Sequence, residues 1–552
     1  MKVRSKLFRF IGLLLGIGAI SAIPVSRTDY FEINKQLEIF TDLYREINLF
    51  YVDAQQPSEL MDKAIISMLS SLDPYTNYIP ETYVEDFRAQ NTGQYAGVGA
   101  GIRHKGEYPV ISSIHQGLAA DKAGFLIGDV LLKVAGLDLK GLSIDDVSRL
   151  LKGAPGTRVE VVLKRGDKSL SKMVKREEVR VPSVPHFTEL APGIGYIFLS
   201  QFNERASNEV RQAFEELNKD GQLKGLILDL RGNPGGLLGE AVNVSNLFID
   251  KGQEVVRTKG KVKEADSRYT TQFNPLDRNI PLVVLINGSS ASASEIVAGV
   301  MQDLDRGVIL GQRSFGKGLV QQTKPISYGA QVKLTIAKYY TPSGRCIQAI
   351  DYAERDELGR VKSIPDSLRN SFKTISGRLV KDGGGIDPDR SIEEDEAPRI
   401  LYSLLQEDII FDFANELQRK APEDSLDPRT FLISDQTFDS FKSFVAKNDF
   451  KYDTYTDDVI RELKSMATEE SFDELLKEIE TLQSTFDKLK SDDLDEHEKA
   501  IKQWLGGELV MRYAFDQGRV IYDLRFDPVS QQAIELLNDP QAYQSILKGA
   551  GK

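Results

Sequence analysis

Asn287-Gly-Ser-Ser-Ala-Ser-Ala-Ser-Glu295, followed by Phe315-Gly-Lys317-Gly-Leu-Val-Gln321, places a serine cluster between a buried strand and a helix. Ahead of it, Pro281 to Ile286 is a continuous apolar run, the pattern of a buried central strand. Asn287 and Gly288 end that run, and Ile296, Val297, Val300 and Met301 then recur at helical spacing. Two readings of the turn compete. Ser292-x-x-Glu295 fits a capping box, in which serine and glutamate satisfy the free N–H groups of a helix start. The same position also suits a nucleophile, because helix N–H groups and a partial positive charge stabilise an oxyanion. Ala291 and Ala293 are small enough for a substrate carbonyl to come close. A serine nucleophile needs a base, and the four histidines are His104, His115, His186 and His497, none of them between residues 187 and 496. Lys317 is the nearest candidate, and lysine serves as a base only when desolvation lowers its pKa toward neutrality.

Three further segments bear on the choice. Gly225-Leu-Ile-Leu-Asp-Leu230-Arg-Gly-Asn-Pro-Gly-Gly236 is a second buried strand running into a loop tolerant of unusual backbone angles. The amides of Gly235 and Gly236 either face a developing negative charge or belong to an ordinary tight turn. Lys317 and Gln321 share a face whether their segment is helical, at i and i+4, or extended, with a period of two. Val332 to Ile347, a strand entering a proline-glycine turn, reads as scaffold.

The motifs Ser-Ala-Ser-Ala-Ser-Glu (290–295), Phe-Gly-Lys-Gly-x-Val-Gln (315–321), Asp-Leu-Arg-x-Asn-Pro-Gly-Gly (229–236) and Tyr-Tyr-Thr-Pro-Ser-Gly-Arg (339–345) together resemble those of the C-terminal processing, or tail-specific, proteases. Leu72 to Ile79 is similar to that family as well, and the resemblance covers about residues 30 to 400. It implies a Ser-Lys dyad on a crotonase-like α/β core, with Ser292 as nucleophile, Lys317 as base and Gln321 orienting the lysine. It also implies an oxyanion hole from the amide of Ala293 and one of Gly235 and Gly236, with Gly236 favoured. The family further implies a binding module able to gate the active site.

That module lies at residues 88–180. Ala96-Gly97-Val98-Gly99-Ala100-Gly101-Ile102 enters a strand, Gly117 to Phe125 and Gly128 to Gly136 follow, and Ile144, Val147, Leu150 and Leu151 mark a short amphipathic helix. The order resembles a bacterial PDZ domain. Such a domain takes an extended C-terminus as an added strand and holds its carboxylate on backbone N–H groups. Here the nest falls at Gly97 to Ile102, and the side-chain pocket faces the helix bearing Val147 and Leu151. The glycine run is a poor nucleotide loop, because no Gly-Lys-Ser/Thr follows.

The net charge of −12 argues against a nucleic-acid partner. No clustered His/Cys ligands exist, so neither a metal nor another cofactor is expected. Lys2, Arg4, Lys6 and Arg9 precede an apolar stretch from Phe10 to Val25, the form of an export signal. Removal near Ser21 or Ala22 and retention as a short membrane anchor are both compatible with it, and no cysteine is present for lipidation. The expected location is the cell envelope, with the chain periplasmic, secreted or anchored to the inner membrane. Cys346 stands alone and forms no intramolecular disulfide.

The expected organisation is an α/β multidomain protein: a signal or anchor at 1–25, a helical region at 26–87, the PDZ domain at 88–180, the protease core at 181–400 and an acidic helical extension at 401–552. Phe472, Leu475, Ile479, Leu482, Phe486 and Leu489 alternate by three and four, favouring an intramolecular helix hairpin. Leu37, Phe40, Leu43 and Ile47 give residues 30–70 a helical pattern. Either end is a candidate contact for a homo-oligomer or an activating partner. The expected substrates are proteins or peptides with exposed C-termini. Two rivals stand beside this reading: a non-catalytic PDZ adaptor, and an acyl-CoA enzyme with Glu295 as its acid or base.

Overall fold

The computed structural model describes residues 27–355, 361–393, 397–421, 425–490 and 492–549, so the expected signal or anchor lies outside the described residues. Two compact units divide the chain at Tyr78 and Ile79. The first contains the helices Arg27–Phe50 and Pro57–Ser70, and Leu37, Phe40 and Leu43 are exposed on the longer one.

In the second unit, the apolar runs become the centre of a six-stranded sheet. His186–Ala191 pairs antiparallel with Ile194–Phe198, and Gly225–Asp229, Leu282–Ile286, Val308–Gly311 and Arg390–Ser391 follow in parallel. These runs do not alternate with polar residues because both faces of the sheet are covered. Leu226, Leu228, Val284 and Ile286 pack against the helices Ala206–Leu217, Leu238–Asn246 and Ala293–Asp303. Their neighbours Ile227, Val283 and Leu285 point the other way, onto Val529, Ala533, Leu536 and Tyr543. That second cover comes from the C-terminal helices Pro528–Asn538 and Pro540–Leu547. Tyr543 clamps the Leu282 strand directly, its hydroxyl lying 2.9 Å from the Leu282 nitrogen and 3.0 Å from its carbonyl. The extension is thus part of the core's packing.

A second, antiparallel sheet carries the strand Leu319–Pro325 beside Gln331–Tyr340, Glu254–Gly260 and Ser267–Thr270. The helical conformation considered for Lys317 and Gln321 is not found, nor is one continuous strand: Gln321 lies in the strand just after a register shift at Val320, and Lys317 lies in the loop before it.

The glycine-rich module builds a sheet from Ala100–Lys105, Tyr108–Ile114, Val130–Val134, Arg158–Arg165 and Lys168–Lys175, with the helix Ile144–Leu151 against it. The C-terminal extension also reaches this module. Phe411 enters its apolar core, Met511 and Phe515 pack beside it, and Lys105 pairs with Asp412 at 2.6 Å. Farther along, Tyr455–Glu469 and Asp473–Lys490 close on each other through Ile460, Ala467 and Ile479, with Leu476 and Phe486 packed alongside. Phe472, Leu475 and Leu482 of the expected seam remain exposed, since a two-helix contact buries only one narrow stripe.

Candidate active site

Ser292 ends the turn between the Leu282–Ile286 strand and the Ala293–Asp303 helix. Its backbone has φ +56°, a conformation that residues with side chains rarely adopt and that persists only where the surroundings impose it. Those surroundings are visible. The Ser292 N–H donates to Glu295 Oε2 at 2.7 Å, which is the glutamate half of the capping box. The Ser292 carbonyl accepts from Ile296 N–H at 3.0 Å and lies 3.1 Å from the Tyr339 hydroxyl.

Glu295 does more than cap. It is fully buried, and Ser314 Oγ and Gly316 N–H donate to its Oε1 at 2.6 and 2.7 Å. Lys317 N–H donates at 2.9 Å to the same Oε2 that receives Ser292. Burial pushes the Glu295 pKa up, while the four donors pull it down. The Tyr339 hydroxyl, kept protonated by burial, supplies a second bridge: it stands 2.7 Å from the Lys317 carbonyl as well as near that of Ser292. Phe315 N–H adds a third tie, to Ser290 O at 3.0 Å. The chain at 292 and the chain at 317 are therefore joined through one carboxylate oxygen and one phenol. Both residues are half-buried.

The glycine loop is stitched to the same turn by Asn233, a fully buried residue. Its carbonyl accepts from Ala291 N–H and Ser294 Oγ, at 3.0 and 2.9 Å, and Ser290 Oγ donates to Leu230 O at 2.8 Å. A Cβ on Gly235 would stand 2.9 Å from Ser292 Cβ and 2.7 Å from Ala291 O, so only glycine fits beneath the serine. The Gly235 N–H is committed to Asn233 Oδ1 at 2.8 Å. At Gly236, φ is +145° and a Cβ would meet Phe202 O at 2.3 Å. Gln321 Nε2 donates to Thr335 Oγ1 across the hairpin at 3.3 Å.

Sequence reasoning weighed Glu295 only as a cap or as a rival enzyme's acid, and it set the Tyr339 segment aside as scaffold. Asn233 went unremarked. The signal for all three was present, because each lies inside one of the quoted motifs.

Comparison with known proteins bears on this geometry. Residues 193–355 match the model of peptidase family S41, residues 110–165 that of a PDZ domain, and residues 400–537 that of a probable PDZ-protease C-terminal helical domain. A carboxy-terminal-processing protease of Bartonella bacilliformis is 35% identical over 354 residues, spanning 63% of this chain and 81% of the relative. A probable CtpA-like serine protease of Staphylococcus aureus is 30% identical over 492 residues, spanning 84% of this chain and 94% of the relative. The chain belongs to peptidase family S41. It is a serine protease of the carboxy-terminal-processing kind, with a PDZ domain and a C-terminal helical domain. Among solved structures, the photosystem II D1 C-terminal processing protease is 31% identical, covers 65% of this chain and 94% of its own, and superposes with a TM-score of 0.36.

In this S41 protease, Gly97, Val98, Gly99, Ala100, Ile102 and Leu151 line a cavity of about 350 Å³ beside the PDZ helix. Gly101 and Val147 do not line it. Gly101 faces the neighbouring strand, where a Cβ would meet Ser113 Oγ at 2.3 Å, and Val147 is fully buried in the domain's own core.

Proposed function

We propose that this S41 protease works in the cell envelope, draws protein C-termini into its PDZ groove and cuts at or near them with a Ser-Lys dyad. Ser292 Oγ attacks the scissile carbonyl while neutral Lys317 takes its proton; the lysine returns that proton to the departing amine as the C–N bond breaks, and water then hydrolyses the acyl-enzyme. The oxyanion rests on the N–H groups of Ala293 and Gly236. Gly236 is preferred to Gly235 because Asn233 already occupies the Gly235 N–H. The observation that carries this reading is the pair of bridges, through Glu295 Oε2 and the Tyr339 hydroxyl, that join residues 292 and 317.

The parallel strands run in chain order with helical crossovers on one face, which supports a crotonase-like reading of the core. The acyl-CoA rival is weaker, because both oxygens of its acid, Glu295, are consumed by structural donors. Export rests on the basic and apolar residues at 1–25; no helix among the described residues is long and apolar enough to cross a membrane. The exposed apolar residues of the Arg27–Phe50 helix support self-association or docking of a partner there.

Gln321 is assigned the role of orienting Lys317. Gln321→Ala is expected to lower kcat about tenfold, the worth of one neutral hydrogen bond; unchanged kcat would remove it from the mechanism. The functional test is a map of products from an unfolded protein with an apolar C-terminal tail. Early cuts should cluster toward the C-terminus and should slow when the tail is deleted. Cuts spread evenly along the chain, indifferent to the tail, would contradict the proposal.

A further inference from the structure

The PDZ groove carries one arrangement that a simple tail-binding site does not require. The charged residues lining the cavity are Asp86 and Lys152, and they face each other. Lys152 follows the PDZ helix, and its stem runs 3.8 Å from where a Gly97 side chain would begin, beside the glycine-rich loop. Its ammonium donates to Asp86 Oδ1 at 2.7 Å and stands 5.6 Å from the Tyr95 ring. Asp86 belongs to another element, the helix Val84–Thr92. A second cavity of about 520 Å³ adjoins the first, and Asp86, Ala89, Tyr95 and Lys152 line both. The ion pair is the partition between the two cavities.

We propose that Asp86 is an internal stand-in for a substrate's terminal carboxylate: it occupies Lys152 in the resting chain, and a bound tail displaces it. The proposal rests on the reading of this groove as the tail site. A free carboxylate entering the glycine-rich loop finds one cation there, already taken by a carboxylate of the chain. Exchange swaps one ion pair for another, so the net electrostatic cost is small and the displaced group is the Val84–Thr92 helix.

That helix and the turn before it also touch the protease core. Phe87 lies under the Lys333 ammonium at 5.9 Å, and Glu81 packs against Gly329 at the tip of the hairpin whose first strand bears Gln321. The PDZ domain itself is tied down by Phe411, Met511 and the Lys105–Asp412 pair. Release of Asp86 would therefore loosen a helix that touches both groove and core.

The test uses the full chain carrying Ser292→Ala and a fluorescent peptide with an apolar C-terminus, prepared as the free acid and as the amide. Anisotropy titration gives Kd for each. The acid should bind more tightly than the amide, and Lys152→Met should reduce that preference to the part supplied by the backbone nest. Asp86→Asn should tighten the acid about three- to tenfold and leave the amide unchanged, the scale of a partly exposed ion pair. Acid affinity unchanged or weakened in Asp86→Asn would overturn the proposal. A groove-filling Ser148→Trp separates the two readings. If it blocks binding while Asp86→Asn does nothing, the groove takes tails and the stand-in is wrong; if Ser148→Trp leaves binding intact, the tail site lies elsewhere and both fall.

Discussion

Ser292→Ala and Lys317→Ala are each expected to lower kcat on an unfolded protein by about 10⁴-fold or more, with the double variant no worse than either single one. The two side chains act as one unit in the proposed chemistry. Without the hydroxyl there is no acyl-enzyme, and without the amine the hydroxyl keeps its proton. Residual activity in the variants comes from the oxyanion donors and substrate binding alone. Neither substitution should harm folding: both residues are half-buried, and the bridges between their segments run through backbone atoms that alanine retains. Multiplicative losses in the double variant, as opposed to a plateau, would show two independent functions and contradict the dyad.

Glu295→Gln should produce the second-largest loss, about 10²-fold in kcat, although Glu295 touches no substrate in the proposed mechanism. A misplacement of about 1 Å in a reacting group is enough for that effect. Glutamine preserves the volume but swaps an acceptor oxygen for an amide NH2 donor, which then faces N–H donors from Ser292, Gly316 or Lys317. The displaced donors are buried, and leaving one unsatisfied costs about 1–3 kcal/mol. Urea unfolding should therefore show a loss of that size, with KM changing much less than kcat. Wild-type kcat in Glu295→Gln would mean that the carboxylate does not set the relative position of the two segments.

Much of this site was legible before any coordinates. The apolar run at 281–286, the small-residue turn and the helical spacing after it placed Ser292 at a strand-to-helix junction, and the structure has that junction. The glycine-rich loops announced themselves through residues that no other side chain could replace, as Gly235 illustrates. What periodicity does not reveal is which distant segment meets which. Glu295 and Lys317 share a hydrogen bond across 22 positions, and Tyr339 reaches back 47 to Ser292. Such pairings come from the crossing of two sheets, and no local pattern encodes them.

The C-terminal extension teaches the same lesson on a larger scale. Its composition suggested an acidic helical extension and gave no sign of how it packs. Asp527 forms a two-pronged ion pair with Arg231, at 2.9 and 2.5 Å, and Tyr543 caps the central strand. The strands' uninterrupted apolar character was the available clue, since a sheet buried on both faces needs a second cover and only the remaining chain was left to provide it.

The most direct measurement is the labelling of Ser292 by a fluorophosphonate, followed by intact mass and peptide mapping. One adduct per chain should form, on Ser292. Its rate should rise with pH through a single ionisation as the Lys317 amine loses its proton, and Lys317→Ala should abolish it. Labelling at another residue, or labelling of Ser292 at an undiminished rate in Lys317→Ala, would contradict the account.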